Sequence, residues 1–178
     1  MPTRTVLMIK FDDLWSNHAT VSGVDSPCIV ENKPAFSNQC AIRVGNALAL
    51  CGFDTTTLPG AEHCWHHANS HGHVLRAEQM AQALKKVRPA GLAAAQSIPV
   101  DGFKKHISGN KGIIFFKDYW LRTSDPENNP TGDHIDLWNG SRLTDWSSWF
   151  RIATGLSIDG VWSDYEKSKE ILFWRAEA

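Results

Sequence analysis

The feature that most constrains the fold is an alternating segment over residues 131–145, TGDHIDLWNGSRLTD, which contains a tight-turn signal. The Asn-Gly pair at 139–140 is the strongest short hairpin signal, because both residues tolerate the positive φ of a type I′ turn. A two-residue turn there places His134 opposite Asp145 on the partner strand, with both side chains on one face. Asp136 shares that face, because side chains repeat every two residues along a strand. The segment predicts two antiparallel strands that carry a histidine beside one or two acids.

The rest of the chain supplies helices before these strands. Ser37 and Asn38 are good N-cap residues for an apolar, small-residue helix that Gly52 closes. The apolar patterns predict helices over 38–51 and 74–87, shorter helices near 11–16, 99–108 and 145–155, an irregular segment over 53–73, and strands over 112–120 and 170–176. Helices followed by antiparallel strands indicate an α+β fold in which a helix packs on a sheet. No linker-like stretch divides residues 1–178, so the sequence predicts a single domain.

Bulk properties exclude several classes of partner. The 178 residues carry a formal net charge of −1, so no basic face is expected and nucleic acid is not a predicted ligand. No apolar run of about 18 residues is present, so no membrane span is predicted. The first 15 residues contain acids where a signal peptide needs an apolar core, so synthesis in the cytoplasm without a signal peptide is expected.

Cys40 is the candidate nucleophile, and the hairpin histidine would serve as its general base. It falls in the first turn of the predicted helix, where the helix dipole favours the reactive thiolate. A thiol at the start of a helix, a histidine on a strand and an acid beside it together make a Cys-His-Asp catalytic triad, the thiol equivalent of the Ser-His-Asp triad. The alternative is that Cys40 is a small buried core residue, as most free cysteines are. Four cysteines are too few for a disulfide scaffold, and the sequence leaves any pairing among Cys28, Cys51 and Cys64 open.

Four stretches together resemble a known family: NQCAIRVGNAL, HVLRAEQMAQAL, GIIFFKDYW and GDHIDLWNGSRLT, in that order. They are similar to the type VI secretion amidase effectors of family 4, which are papain-like, NlpC/P60-type cysteine amidases. The resemblance runs from about Ser37 to Asp145. It implies a papain-like NlpC/P60 fold, in which the nucleophile helix packs on an antiparallel sheet.

The resemblance also implies a site and a biological setting. The catalytic residues would be Cys40, His134 and Asp145, with Asp136 as the alternative third member if the turn is longer than two residues. Asn38 and Gln39, with the helix-start amides, are candidates for oxyanion or substrate binding, as is Trp138. The family cleaves the D-glutamate–meso-diaminopimelate bond of peptidoglycan stem peptides. Its members are delivered by the type VI secretion machinery into the periplasm of rival Gram-negative cells, and a cognate immunity protein neutralises them at home.

Three other interpretations compete with the thiol amidase. A histidine-rich segment could bind zinc through His63, Cys64, His66, His67, His71 and His73. Its spacing matches no common zinc pattern, so neither metal nor cofactor is predicted. A housekeeping papain-like wall hydrolase would normally carry an export signal or a wall-anchoring repeat. A non-catalytic binding protein, using its eight tryptophans, would keep full function after Cys40→Ala.

Overall fold

The structure is a computed structural model that describes residues 7–24, 26–120, 122, 124–125, 131–144 and 165–177. The elements, in chain order, are α1 Phe11–Ser16, β1 Ile29–Val30, β2 Lys33–Pro34, α2 Cys40–Leu50, α3 Ala77–Lys86, β3 Gln96–Ile98, α4 Phe103–Ile107, β4 Gly112–Trp120, β5 Gly132–Trp138 and β6 Glu170–Arg175. Two single-turn 3₁₀ helices, Thr55–Thr57 and Asn69–His71, interrupt the irregular segment between α2 and α3.

The main sheet has four antiparallel strands in the order β3-β6-β4-β5, and β1 with β2 forms a separate two-stranded ribbon. In the β4–β5 ladder, Ile113 lies opposite Leu137, and Phe116 lies opposite His134. An irregularity follows between Phe116 and Trp120. Among the described residues β5 is an edge strand of this sheet, so one row of its backbone N–H groups can bind something other than a strand.

Each face of the sheet has its own apolar core. Alternate residues of β4, β5 and β6 point to opposite faces, as the period of a strand requires. One face packs on α1, α2 and α3 through the buried residues Leu14, Val44, Leu48, Met80, Leu84, Ile113, Phe115, Ile135, Leu137, Leu172 and Trp174. The other face packs on α4 through Phe103, Ile107, Ile114, Phe116, Trp138, Tyr165 and Phe173. The helix that begins at Cys40 is therefore held against the edge of the sheet by apolar burial.

Helix α2 ends where its glycine signal predicts. Gly52 adopts a φ of +81°, and the Phe53 N–H donates to the Leu48 carbonyl over 3.0 Å. A left-handed residue followed by this long backbone hydrogen bond is the usual glycine stop of a helix.

A pair of glycines brings α2 and the histidine-rich segment into backbone contact. A Cβ added at Gly45 would overlap the carbonyl oxygen of Gly72, and a Cβ at Gly72 would overlap the carbonyl oxygen of Gly45. Gly72 also has a φ of +76°, which disfavours any side chain. Only two glycines permit this approach, which fixes the segment before α3 against the middle of α2.

The predicted α+β class is confirmed, and the predicted β4 over 112–120 matches the structure. Helices α2 and α3 are each a few residues shorter than predicted, and the dipeptide strands β1 and β2 were not predicted. The helix predicted over 145–155 lies outside the described residues. No helix in the described part of the chain is long and apolar enough to cross a membrane.

The predicted hairpin register is wrong. A two-residue turn would pair Trp138 with Ser141, but Trp138 pairs with Leu143. The Asn139 side-chain oxygen accepts from the backbone N–H groups of Ser141 and Arg142, at 3.1 and 3.0 Å. This Asx-type capping stabilises a longer turn, for which asparagine is as suitable as it is for a type I′ turn.

Candidate active site

Cys40 is the first residue of α2 and lies at the floor of a surface groove. Cys40 is only 7% exposed. The backbone N–H groups of Ala41 and Ile135 favour the thiolate form of Cys40 and help to lower its pKa. Ile135 lies on β5, which is an edge strand among the described residues, so its N–H can face a thiol rather than another strand.

His134 reaches the sulfur from β5 and is 4% exposed. It lies one residue before Ile135, so its side chain points to the opposite face of the strand from the apolar core beneath α2. The ring packs near Phe116 and Tyr165, at centroid distances of 6.4 and 6.1 Å. The imidazole is thus held in a largely apolar environment with the Cys40 thiol as a neighbour.

The two groups shift each other's protonation in opposite directions. Burial alone would raise the pKa of Cys40, but the polar contact with His134 and its positive charge lower that pKa below the ordinary value. Burial alone would lower the pKa of His134, but its polar contacts with Asp136 and Cys40, and their negative charges, raise it to about 9. Both shifts favour a thiolate beside an imidazolium, the reactive state of a cysteine nucleophile.

Asp136 stands on the far side of the imidazole and is 2% exposed. Its Oδ2 lies 3.6 Å from His134 Nε2, and its Oδ1 lies 3.7 Å from His18 Nε2. The Thr144 hydroxyl and the Leu137 backbone N–H, the latter at 2.7 Å, donate to Oδ1. A buried carboxylate held by this many partners has a fixed orientation toward the imidazole.

These partners keep the carboxylate charged. Burial alone would raise the pKa of Asp136, but the polar contact with His134 and the charges of His18 and His134 hold it below the ordinary value, helped by the Thr144 hydroxyl. Asp136, the alternative third member, lies beside His134 because alternate residues of β5 share one face. Asp145, the first choice from sequence, lies outside the described residues.

The structure adds His18 and Thr144, which the sequence reasoning missed. His18 follows α1 in a segment of irregular turns and is 2% exposed, yet its ring faces the Asp136 carboxylate. No local pattern marks it, because the contact joins two segments far apart in the chain. Thr144 is adjacent to the turn signal, and the corrected register brings its hydroxyl to Asp136.

The three residues predicted to bind the oxyanion or the substrate occupy different places. Asn38 lines the groove, and its side-chain oxygen accepts from the Cys40 backbone N–H over 3.1 Å. The Gln39 side chain turns inward, where it bonds both the N–H and the carbonyl of Cys28 at 2.9 Å and the carbonyl of Phe36 at 3.2 Å. Trp138 is 1% exposed and donates to the Ile107 carbonyl over 3.2 Å, so it is a core residue rather than a groove residue.

The groove that exposes Cys40 has a volume of about 930 Å³, enough for a peptide of several residues. Its walls combine aromatic rings with charges of both signs: Phe36, Trp65 and Trp120, the cations Arg76 and Arg122, and the acids Glu62, Glu78, Asp118 and Asp133. Within it, Arg76 pairs with Glu62 at 2.9 Å. Such a surface suits a polar ligand that carries both carboxylates and an ammonium group.

Comparison with known protein families matches residues 36–174 to the type VI secretion system amidase effector protein 4 family. This match spans most of the chain and includes Cys40, His134 and Asp136. No curated protein matches the chain in sequence.

Solved structures share the fold. The type VI effector Tae4 from Enterobacter cloacae is 19% identical with a TM-score of 0.59, over 96% of this chain and 99% of that chain. Tae4 from Salmonella typhimurium, in complex with the immunity protein Tai4 from E. cloacae, is 20% identical with a TM-score of 0.57, over 94% and 98% of the two chains. The Tae4/Tai4 effector–immunity system of S. typhimurium, also 20% identical, gives a TM-score of 0.52 over 94% and 93%.

Proposed function

The chain belongs to the type VI secretion system amidase effector protein 4 family, and on that premise we propose that it is a cysteine amidase that cuts peptidoglycan stem peptides between D-glutamate and meso-diaminopimelate. The proposed catalytic residues are Cys40, His134 and Asp136. The observation that carries this proposal is that Cys40, at the start of α2, lines one small cavity together with His134 and Asp136, and that Asp136 lies 3.6 Å from the imidazole.

The proposed reaction begins with attack of the Cys40 thiolate on the D-glutamate amide carbonyl. His134, charged before the attack, gives its proton to the leaving amine of diaminopimelate as the acyl-enzyme forms. The neutral imidazole then takes a proton from water, which attacks the thioester and releases Cys40. Asp136 holds the ring orientation and stabilises the imidazolium throughout.

The start of α2 is the proposed site of oxyanion stabilisation. The Cys40 backbone N–H lies at the N-terminal end of the helix and donates to Asn38 Oδ1 over 3.1 Å. A developing oxyanion is a stronger acceptor than an amide oxygen, so it would displace Asn38 from this N–H. Gln39 is not proposed as an oxyanion donor, because its side-chain amide already bonds Cys28 and Phe36.

The charges of the groove support the proposed substrate. Stem peptides carry free carboxylates on D-glutamate and diaminopimelate, and an ammonium group on the diaminopimelate side chain. Arg76 and Arg122 are suitable partners for the carboxylates, and Glu78 and Asp118 for the ammonium. The side chain of Arg76 is 63% exposed, so it can move from Glu62 to a ligand at small energetic cost.

The family also implies the setting in which the enzyme acts. We propose that the type VI secretion machinery delivers it, that it acts in the periplasm of a target Gram-negative cell, and that a cognate immunity protein neutralises it. Two of the similar solved structures are complexes of an effector with an immunity protein.

The test is digestion of purified peptidoglycan that contains meso-diaminopimelate, with mass spectrometry of the products. Wild type is expected to release fragments cut between D-glutamate and diaminopimelate, and Cys40→Ala is expected to release none. Cys51→Ser is the matched control, because Cys51 is half-buried at the other end of the same helix. Cleavage by Cys40→Ala, or cleavage at another bond, would refute the proposal.

A further inference from the structure

Two cysteines and two histidines converge at a place that the proposed reaction does not use. Potential ligand atoms of Cys28, Cys64, His67 and His73 all lie within 4.8 Å of one another. The two sulfurs are 3.5 Å apart, and His67 Nδ1 lies 3.5 Å from the Cys28 sulfur and 3.4 Å from the Cys64 sulfur. None of the four residues lines the groove that exposes Cys40.

The three separations among Cys28, Cys64 and His67 match the edges of a tetrahedral zinc site, and His73 lies within 4.8 Å of the other ligands. With Zn–S of about 2.3 Å and Zn–N of about 2.0–2.1 Å, tetrahedral angles separate two sulfurs by about 3.8 Å, and a sulfur from a nitrogen by about 3.5 Å. The three separations that involve Cys28, Cys64 and His67 lie within a few tenths of an ångström of those values. Two thiolates and two imidazoles are also the ligand set that selects zinc.

The backbone holds the ligands in place without a metal. The Cys64 N–H donates to the His73 carbonyl over 2.8 Å, next to a bridge between His63 and Val74. Cys28 is fixed on both sides of its peptide by the Gln39 side chain. A ligand set that is positioned by hydrogen bonds outside it is characteristic of built metal sites.

The burial of these residues and an unpaired ring nitrogen favour a bound metal ion at this point. Cys28, Cys64 and His73 are between 0 and 4% exposed, and His67 is half-buried. The Nδ1 atom of His73 is buried and has no hydrogen-bond partner among the described residues. The His66 backbone N–H lies 3.4 Å from the Cys64 sulfur, an arrangement that stabilises a thiolate. A closed site with four protein ligands is the structural type, because catalytic zinc keeps an open position.

We propose that Cys28, Cys64, His67 and His73 bind one zinc ion in a structural site. Binding displaces the two thiol protons to solvent, so two thiolates neutralise the divalent cation. The ion ties the segment that leads into Cys40 to the histidine-rich segment before α3. The site does not depend on the proposed amidase reaction, and it replaces the sequence expectation that no metal binds.

The first experiment measures metal in protein that is expressed with zinc and purified without chelator. Elemental analysis is expected to find about one zinc ion per chain in wild type and in Cys51→Ser. Cys64→Ser and His67→Gln are expected to lose most of it. Cys40→Ala is expected to keep its zinc while losing activity, so failure of the metal proposal and failure of the amidase proposal give different results.

Cobalt substitution tests the ligands without any variant. Wild-type protein that has been stripped of metal and titrated with Co²⁺ is expected to show tetrahedral d–d bands, together with a sulfur-to-cobalt charge-transfer band. Absence of zinc in the purified protein, together with no uptake of zinc or cobalt by the reduced protein, would overturn the proposal. A Cys28–Cys64 disulfide in the freshly purified protein, mapped by mass spectrometry, would also overturn it.

Discussion

At the scale of single residues, the Cys40–His134 pair determines how the site responds to protons. Each group favours the charged form of the other, and both are buried, so they titrate as a coupled pair. The thiolate–imidazolium state therefore predominates at pH values above the pKa of the thiol and below the pKa of the imidazolium.

This order predicts a bell-shaped pH profile for kcat/KM. Activity rises with pH while Cys40 loses its proton, below the ordinary thiol pKa of 9.0. It falls as pH passes about 9, because His134 then lacks the proton that the leaving amine needs. A profile measured on a stem-peptide substrate between about pH 5 and pH 10 checks both limbs. An alkaline limb near the ordinary histidine pKa of 6.5 would contradict the raised pKa of His134.

Paired asparagine substitutions distinguish the two candidate third members. Asp136→Asn leaves an amide that cannot stabilise the imidazolium, so kcat is expected to fall by about 10²–10⁴-fold. Asp145→Asn is expected to change kcat much less, because the proposal gives the contact with the imidazole to Asp136. Both variants should keep the thermal midpoint of unfolding within a few degrees, which circular dichroism checks. A larger loss of kcat in Asp145→Asn would return the role to that residue.

At the scale of elements, the segment before α2 is secured by one side chain. Gln39 joins the start of the helix to Cys28 and Phe36 through three hydrogen bonds, and it is 5% exposed. Its role in the structure is therefore to fix the approach to Cys40.

Gln39→Ala is expected to lower the free energy of unfolding by about 2–4 kcal/mol, because three net hydrogen bonds are lost and buried groups of Cys28 are left unpaired. Denaturant unfolding measures this change. Asn38→Ala, which removes one hydrogen bond of a half-buried side chain to the Cys40 N–H, is the control and is expected to cost about 1 kcal/mol. Unchanged stability in Gln39→Ala with a large loss of kcat would instead support a direct role for Gln39 in catalysis.

Elements with strong local signals were predicted well from the sequence. The apolar run of β4, the existence of helix α2 with its glycine stop, and the family resemblance are confirmed, because periodicity and motif order are local properties of the chain. The predicted N-cap of α2 at Ser37 or Asn38 is wrong, since the helix starts later, with Gln39 at the N-cap position. The turn after β5 was predicted with the wrong length, since an Asn-Gly pair serves more than one turn type. Contacts between distant segments, such as His18 with Asp136 and Cys28 with Cys64, have no local pattern and required the fold.

At the scale of the whole molecule, the groove joins elements from both halves of the chain around Cys40. Trp65 is its most exposed large apolar residue, at 68%, and it meets Phe36 edge to face with centroids 5.3 Å apart. An exposed tryptophan braced in this way offers a rigid surface to a ligand.

Trp65→Ala is expected to raise KM for stem peptides by about tenfold, corresponding to about 1.4 kcal/mol of binding. Because the ring does not touch Cys40 or His134, kcat and the rate of Cys40 alkylation are expected to stay unchanged. Leu50→Ala is the control, since Leu50 is 61% exposed and does not line the groove. Steady-state kinetics of both variants check the result, and an unchanged KM in Trp65→Ala would exclude the ring from substrate binding.

Gly45 and Gly72 restrict how a lineage of such proteins can diversify. Each lies against the carbonyl of the other, and every codon change away from glycine adds at least one carbon atom where that oxygen stands. A compensating change at the partner position cannot help, because glycine is already the smallest residue. Substitutions that keep this fold are therefore confined to other positions, such as the groove rim and the exposed loops, while the two glycines hold the histidine-rich segment against α2.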